Sequence, residues 1–328
     1  VVAETSFWFN FCLMNRRQFI SLTGLGVVAL VCGRVFGEGQ EIATAKKTYS
    51  LKIDKAWRLA SPNKERFDAS GLILQPNGDL LTINDKGSGV YRINRSEEVD
   101  EAALELVPNW FTAKQLEKFT KEKKDHYDIE GICRDDEGRI YLCEEANRWV
   151  LRLDPKTETV ERLAIDWTPV QEFFGLERNA SFEGIAFGDK HLYLANERER
   201  GRIIVVDLAT LKVIDNFTAG TTQPPARDVH YSDLSWHGGY LYALLREAYA
   251  VLQIDPKTKQ VVAQFDFPNL ELQPEHAYHR LFPVGIMEGL AVDNRYFWLV
   301  TDNNGYGRLK ASDDRRPTLF RCVRPDRK

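Results

Sequence analysis

One pattern, repeated five times at intervals of about 54 residues, constrains the fold of this 328-residue chain more than any other feature. Each copy opens with a short motif: Ser70-Gly71-Leu72, Glu130-Gly131-Ile132, Glu183-Gly184-Ile185, Asp233-Leu234-Ser235 and Glu288-Gly289-Leu290. The steps between opening residues are 60, 53, 50 and 55. A polar turn follows the opening strand, as in Asp135-Asp136-Glu137-Gly138 or His237-Gly238-Gly239. Next comes a strand of alternating character, residues 80–83 or 191–194. It ends in a polar pair: Asn84-Asp85, Glu144-Glu145, Asn196-Glu197, Arg246-Glu247 and Asp302-Asn303. A third strand follows. In two copies the turns Asp154-Pro155-Lys156-Thr157 and Asp255-Pro256-Lys257-Thr258 lead into a fourth.

Short strands, tight Gly/Asp/Pro turns and four strands per copy predict an all-β fold, a single β-propeller of four-stranded blades. One such sheet cannot bury both faces alone, so the copies must stack radially. Five blades are expected, or six if residues 104–127 hide a degenerate blade. Residues 112–124 read instead as a helical insertion, a lid or a surface decoration, because Ala113, Leu116 and Phe119 fall at helical spacing. The last copy lacks an outer strand after residue 323, while residues 49–59 form an unclaimed strand. Docking that N-terminal strand on the last copy would close the ring.

The first 37 residues read as a leader. Asn15-Arg16-Arg17-Gln18-Phe19-Ile20 precedes an apolar run over residues 21–33, the pattern of a twin-arginine export signal beginning at Met14. The run is too short for a comfortable permanent membrane span. Residues 38–328 would then be the propeller, exported by a bacterium to the periplasm or beyond. The net charge of −4 gives no reason to expect a nucleic-acid partner. Of the five Cys, Cys12 and Cys32 lie in the leader. Strand alternation from a hairpin of residues 129–134 and 139–144 puts Cys133 and Cys143 on opposite faces, so Cys133, Cys143 and Cys322 are expected to be buried free thiols.

In a propeller the first strand of every blade lines the central channel. Four of the five opening residues, Glu130, Glu183, Asp233 and Glu288, are carboxylates at what read as equivalent positions, with Ser70 the fifth. Two such charges at 4 Å repel by about 4 kcal/mol at an effective dielectric near 20. The ring must bind a cation, protonate in part or splay into water. An all-oxygen set suits a hard cation, Ca²⁺ before transition metals. Asn84, Asp85, Asn196, Asp302 and Asn303, at the ends of the second strands, would complete the oxygen shell. The alternative is that each carboxylate caps backbone N–H groups of its own blade. Lys86, Arg148, Arg198, Arg200 and Arg246 interleave on the same face, either as donors to an anionic substrate or as a solvated rim. His126 and His230 precede repeat openings and are placed to reach the mouth as acid or base. His276 and His279 are spaced like a metal pair without a helix to support it. No GxSxG, HExxH or Walker motif occurs.

Three segments carry a resemblance: Asp128-Ile129-Glu130-Gly131 with Glu144-Glu145; Phe182-Glu183-Gly184-Ile185-Ala186 with Asn196-Glu197-Arg198; and Glu288-Gly289-Leu290-Ala291 with Thr301-Asp302-Asn303-Asn304. Ser70-Gly71-Leu72 with Asn84-Asp85-Lys86-Gly87 fits as well. Together they resemble the phytase-like, "esterase-like activity of phytase" β-propeller family over roughly residues 50–325. The resemblance implies an exported propeller and calcium-assisted hydrolysis of phosphate esters. A second resemblance, to gluconolactonase- and paraoxonase-type propellers, implies a central Ca²⁺ and lactone or ester hydrolysis. Three Glu and five blades depart from that pattern. Two functions follow for a small-molecule, anionic ligand. The first is a hydrolase with Glu130, Glu183 and Glu288 catalytic, Lys86, Arg148 and Arg200 binding substrate, and Glu130, Glu183, Asp233, Glu288, Asp85 and Asp302 holding the metal. The alternative is a non-catalytic binding propeller of the cell envelope.

Overall fold

The repeat grammar becomes a ring of five blades. The computed structural model describes residues 45–119, 127–175, 181–197, 201–220, 229–280 and 285–326. The leader, His126, Arg198 and Arg200 lie outside the described residues. Two strands, β1 (Thr48–Ser50) and β2 (Lys52–Ala60), precede the first repeat. Blade 1 is β3 (Ala69–Leu74), β4 (Leu80–Asn84), β5 (Val90–Arg95) and β6 (Glu101–Leu106). Blade 2 is β7 (Ile129–Arg134), β8 (Ile140–Glu144), β9 (Trp149–Asp154) and β10 (Thr159–Arg162). Blade 3 is β11 (Phe182–Gly188), β12 (His191–Asn196), β13 (Arg202–Asp207) and β14 (Lys212–Phe217). Blade 4 is β15 (Tyr231–His237), β16 (Tyr240–Leu245), β17 (Ala250–Asp255) and β18 (Gln260–Asp266). The fifth has β19 (Met287–Val292), β20 (Tyr296–Thr301) and β21 (Thr318–Val323). The inner strands β3, β7, β11, β15 and β19 touch in cyclic order, β19 returning to β3.

Closure is by the N-terminal strand. β2 pairs antiparallel with β21 as the fourth strand of blade 5, and its end runs parallel to β6 of blade 1. β1 pairs parallel with β18 of blade 4. One short segment thus stitches three blades and covers edges that would otherwise template further pairing. Trp57 of β2 is fully buried, stacks on Trp298 at 6.2 Å and donates its Nε1 to the Ser96 carbonyl at 2.7 Å.

The turns between third and fourth strands follow from Asx chemistry. Asp154 Oδ1 accepts the Lys156 N–H at 2.9 Å, and Asp255 Oδ1 that of Lys257 at 2.9 Å. The insertion begins with a one-turn helix, α1 (Ala113–Leu116), closed by a Thr112–Gln115 capping box. Gln115 Nε2 donates to the Glu158 carbonyl beside β10 at 2.7 Å. Residues 113–119 therefore lie along the outer edge of blade 2; residues 120–126 are outside the described residues.

Every opening strand carries a β-bulge, between Ser70 and Leu72, Ile129 and Gly131, Phe182 and Gly184, Tyr231 and Asp233, and Met287 and Gly289. The bulge corrects the expected pairing of the cysteines. Cys133 faces Tyr141 and Cys143 faces Gly131, which puts both thiols on one face, diagonal to each other. They remain unbonded and buried, as does Cys322.

Glycine after the opening residue has a packing reason. A Cβ on Gly184 would lie 2.6 Å from the Cα of Asp233, and one on Gly131 would lie 2.9 Å from the Cα of Gly184. Inner strands of neighbouring blades approach too closely there for a side chain. Gly184→Ala is expected to destabilise the fold by about 1–3 kcal/mol, the usual range for overpacking, in denaturant unfolding. An unchanged midpoint would mean that the inner strands separate freely.

Candidate functional site

The bulges re-aim the opening side chains toward one end of the channel. Aligned by strand register, the opening positions are Ser70, Glu130, Glu183, Ser232 and Glu288. The residues just past the second strands are Asp85, Glu145, Glu197, Arg246 and Asp302. Two residues before each opening stand Asp68, Asp128, Ser181, His230 and Ile286. In four blades these last two tiers are joined by a backbone bond, for example Glu145 N–H to the Asp128 carbonyl at 2.8 Å and Asp302 N–H to the Ile286 carbonyl at 2.8 Å. Three tiers of side chains, rich in carboxylates, therefore surround one mouth.

This register corrects the reading of blade 4. Asp233 stands where the other blades carry glycine, and Ser232 is the opening residue, so the steps are 60, 53, 49 and 56. Asp233 is fully buried. Its Oδ2 accepts the N–H groups of Leu290 at 2.7 Å and Leu72 at 3.3 Å, and Oδ1 that of Leu234 at 2.7 Å. Its carboxylate thus ties three inner strands together across the channel. Burial raises its pKa well above the ordinary range. Beyond it the channel is lined by apolar side chains such as Ile73, Ile132, Ile185 and Leu234.

The first member of the polar pair also caps backbone in blades 1 and 2. Asn84 Oδ1 accepts from the N–H groups of Lys86 and Asp68, and Glu144 from those of Asn147 and Asp128. In these blades capping belongs to Asn84 and Glu144, while Asp85 and Glu145 join the acidic mouth.

Among the described residues, two groups of carboxylates converge there. In the first, ligand oxygens of Asp85, Asp128 and Glu130 lie within 4.8 Å of one another. Asp85 Oδ2 receives the Lys86 ammonium at 2.5 Å, but Asp85 Oδ1 is buried without a hydrogen-bond partner among the described residues. Burial pushes Asp85 up to about 6. Asp302 belongs to this side, pushed up to about 7 by burial and by Asp68. Arg66 grips Asp68 with Nε to Oδ1 at 2.7 Å and Nη2 to Oδ2 at 2.5 Å.

The second group is Glu145, Glu183 and Glu197, all buried and again within 4.8 Å. Burial and repulsion from Glu183 push Glu145 up to about 10. Burial, then Glu183, raises Glu130 as well, so the two groups are electrostatically linked. Here the compensating charge is protein. Arg246 bridges Glu288 and Glu197, the latter at 3.1 Å, and His230 Nε2 bonds Glu197 while Nδ1 faces Glu247 at 3.5 Å. Burial works against the imidazolium, yet Glu197 and Glu247 outweigh it and raise His230.

The expected metal set is thus divided: Asp85 and Glu130 in one group, Glu183 in the other, Glu288 held by Arg246, Asp302 beside Asp68, and Asp233 across the channel. Among expected substrate donors, Lys86 pairs with Asp85. Arg148 stacks 4.8 Å over Phe174 and leaves Nε and Nη2 buried without hydrogen-bond partners among the described residues. His276 packs edge-on against Phe320 at 5.0 Å, and the backbone N–H of His279 bonds the Gly307 carbonyl, so their loop is a structural element. Asp68, Asp128, Glu145 and Glu197 were not singled out as site residues from the sequence; counting two back from each opening, and one past each second strand, finds them. A cavity of about 1180 Å³ opens beside Arg66, lined by Lys64, Asn304, Tyr306 and Arg315 among others.

The profile of a family described as "Phytase-like: Esterase-like activity of phytase" matches residues 44–305. No curated protein matches the chain. Among solved structures, glutaminyl cyclase from Myxococcus xanthus aligns with a TM-score of 0.55 at 15% identity, over 85% of this chain and 97% of that one, a likeness of fold. PQQ-bound aldose sugar dehydrogenase from Streptomyces coelicolor aligns at 0.46 and 15% identity, over 84% and 98%. A gluconolactonase from Xanthomonas campestris aligns at 0.43 and 11% identity, over 77% and 72%.

Proposed function

The chain belongs to the phytase-like family, and on that premise we propose that it is an exported, cation-assisted hydrolase of phosphate or other esters, working at the acidic mouth. The observation that carries the reading is the group Asp85, Asp128 and Glu130, with the Asp85 Oδ1 oxygen buried and without a partner among the described residues. Hard oxygen donors at this spacing, with one orphaned lone-pair set, fit Ca²⁺ better than a thiophilic metal. When bound, such an ion supplies Lewis acidity toward a phosphoryl or carbonyl oxygen.

The remaining work falls to the chain. Glu183 accepts a proton from the attacking water as its oxygen bonds to phosphorus or carbonyl carbon. Glu145, held protonated by burial and by Glu183, gives its proton to the departing alcohol as the ester bond breaks. Arg246 and His230 hold Glu197 and Glu288 in place from behind. Arg148, with buried N–H groups to satisfy, and Lys86 orient the anionic part of the substrate. Export remains part of the proposal, supported by Arg16-Arg17 and the apolar run after them.

Turnover of phytate and of p-nitrophenyl esters is expected to disappear with a chelator and return with Ca²⁺. Unchanged turnover under chelation would overturn the cation's role. Calcium binding without turnover of any ester would favour a binding propeller.

A further inference from the structure

On the face of the ring opposite the acidic mouth, the β3–β4 and β19–β20 turns border a groove of about 570 Å³. Three guanidiniums reach it: Arg95 from β5, Arg321 from β21 and Arg295 from the β19–β20 turn. Aromatic faces hold them. Arg95 lies 4.6 Å over Trp298, Arg321 lies 5.0 Å over Tyr296, and Arg295 lies 5.2 Å over the same ring. Such stacking fixes the guanidinium planes while leaving their edges open to hydrogen bonds.

The groove has more donors than acceptors. Its two carboxylates are already engaged. Glu97 takes both Arg321 Nη groups at 2.6 and 2.9 Å. Asp293 takes the N–H groups of Arg295 and Tyr296 and the indole of Trp298, at 2.6, 2.8 and 2.8 Å. Arg321 also holds Asp54 at 2.6 Å. By contrast, the Arg95 guanidinium makes one hydrogen bond among the described residues, to the Gly78 carbonyl at 3.3 Å. That of Arg295 makes one, to the Tyr296 hydroxyl at 3.1 Å. A guanidinium carries five N–H donors. Arg95 is, moreover, half-buried; burial and the neighbouring Arg321 charge act against its positive charge, while Glu97, Asp79 and Asp293 favour it.

An anion would use the open donors of Arg95 and Arg295, and paired arginines match oxyanion geometry. We infer that this groove is an oxyanion-binding site separate from the mouth, taking a phosphate or sulfate group on Arg95 and Arg295, with any organic portion lying against Tyr296. The anion is either free or the ester-linked group of a larger molecule, and the chemistry of recognition is the same.

Isothermal titration of the full chain with inorganic sulfate tests this. Saturable binding is expected, weakened at least tenfold in Arg95→Gln and several-fold in Arg295→Gln, and unchanged in Glu183→Gln at the mouth. Arg295 is exposed, so its variant keeps the test valid even if Arg95→Gln unfolds, which a melting curve reports. Glucose 1-phosphate binding more tightly than inorganic phosphate would assign the site to ester-linked groups, and equal binding to the free anion. No saturable sulfate binding, or binding indifferent to both arginine variants, overturns the inference.

Discussion

Replacing Asp233 with alanine is expected to lower the melting temperature by about 10 °C. The carboxylate accepts three buried backbone N–H groups from the inner strands of blades 4, 5 and 1. Each donor left without a partner costs about 1–3 kcal/mol, and water entering the space recovers part of that, leaving a loss of about 4 kcal/mol. For a domain of this size each kcal/mol moves the midpoint by about 2–4 °C. Asp233→Asn keeps an acceptor oxygen and should lose less. Calorimetry on both variants checks this; an alanine variant within about 1 kcal/mol of the parent would mean that Asp233 does not tie the ring.

That residue also marks the limit of what could be read from the sequence. The period, the four-strand grammar, five blades and closure by an N-terminal strand were legible, because turn chemistry and alternation repeat in plain view. Register inside the opening strand was not. Blade 4 opens as Tyr231-Ser232-Asp233-Leu234, without the glycine that marks the position elsewhere, so its acid was placed one residue early in the ring. The polar pairs of blades 4 and 5 are likewise shifted by one, since Arg246 and Asp302, not Glu247 and Asn303, stand where the other blades carry Asp85, Glu145 and Glu197. Spacing cannot reveal a bulge whose extra residue is paired with nothing. The division of the acids into two groups was equally hidden, because it depends on which carboxylates Arg246 and His230 reach across blades.

The second large effect concerns chemistry. Glu183→Gln and Glu145→Gln are each expected to reduce ester turnover by about 10²–10⁴-fold, the usual contribution of a positioned acid or base. Both replacements are nearly isosteric and remove a charge or proton from a crowded acidic group, so stability should hold or rise. The two losses should not multiply in the double variant, because both residues serve one proton-transfer unit. Steady-state kinetics with a melting curve for each variant separates the cases. Full activity in either single variant would remove that residue from the proposed chemistry.

Melting temperature against pH, with chelator and with Ca²⁺, tests most directly whether the acids around Asp85 are arranged for a cation. Asp85 and Asp302 have folded pKa values raised to about 6 and about 7. A carboxyl raised on folding contributes stability below its unfolded pKa, near 4, and loses it as pH rises through the folded value. In chelator the melting temperature should therefore fall between pH 5 and pH 8. A cation binds the ionised carboxylates, so Ca²⁺ should restore stability at pH 8 and change little at pH 5. Asp85→Asn should lessen the fall and abolish the calcium effect. A melting temperature that is flat with pH and indifferent to calcium would contradict the account.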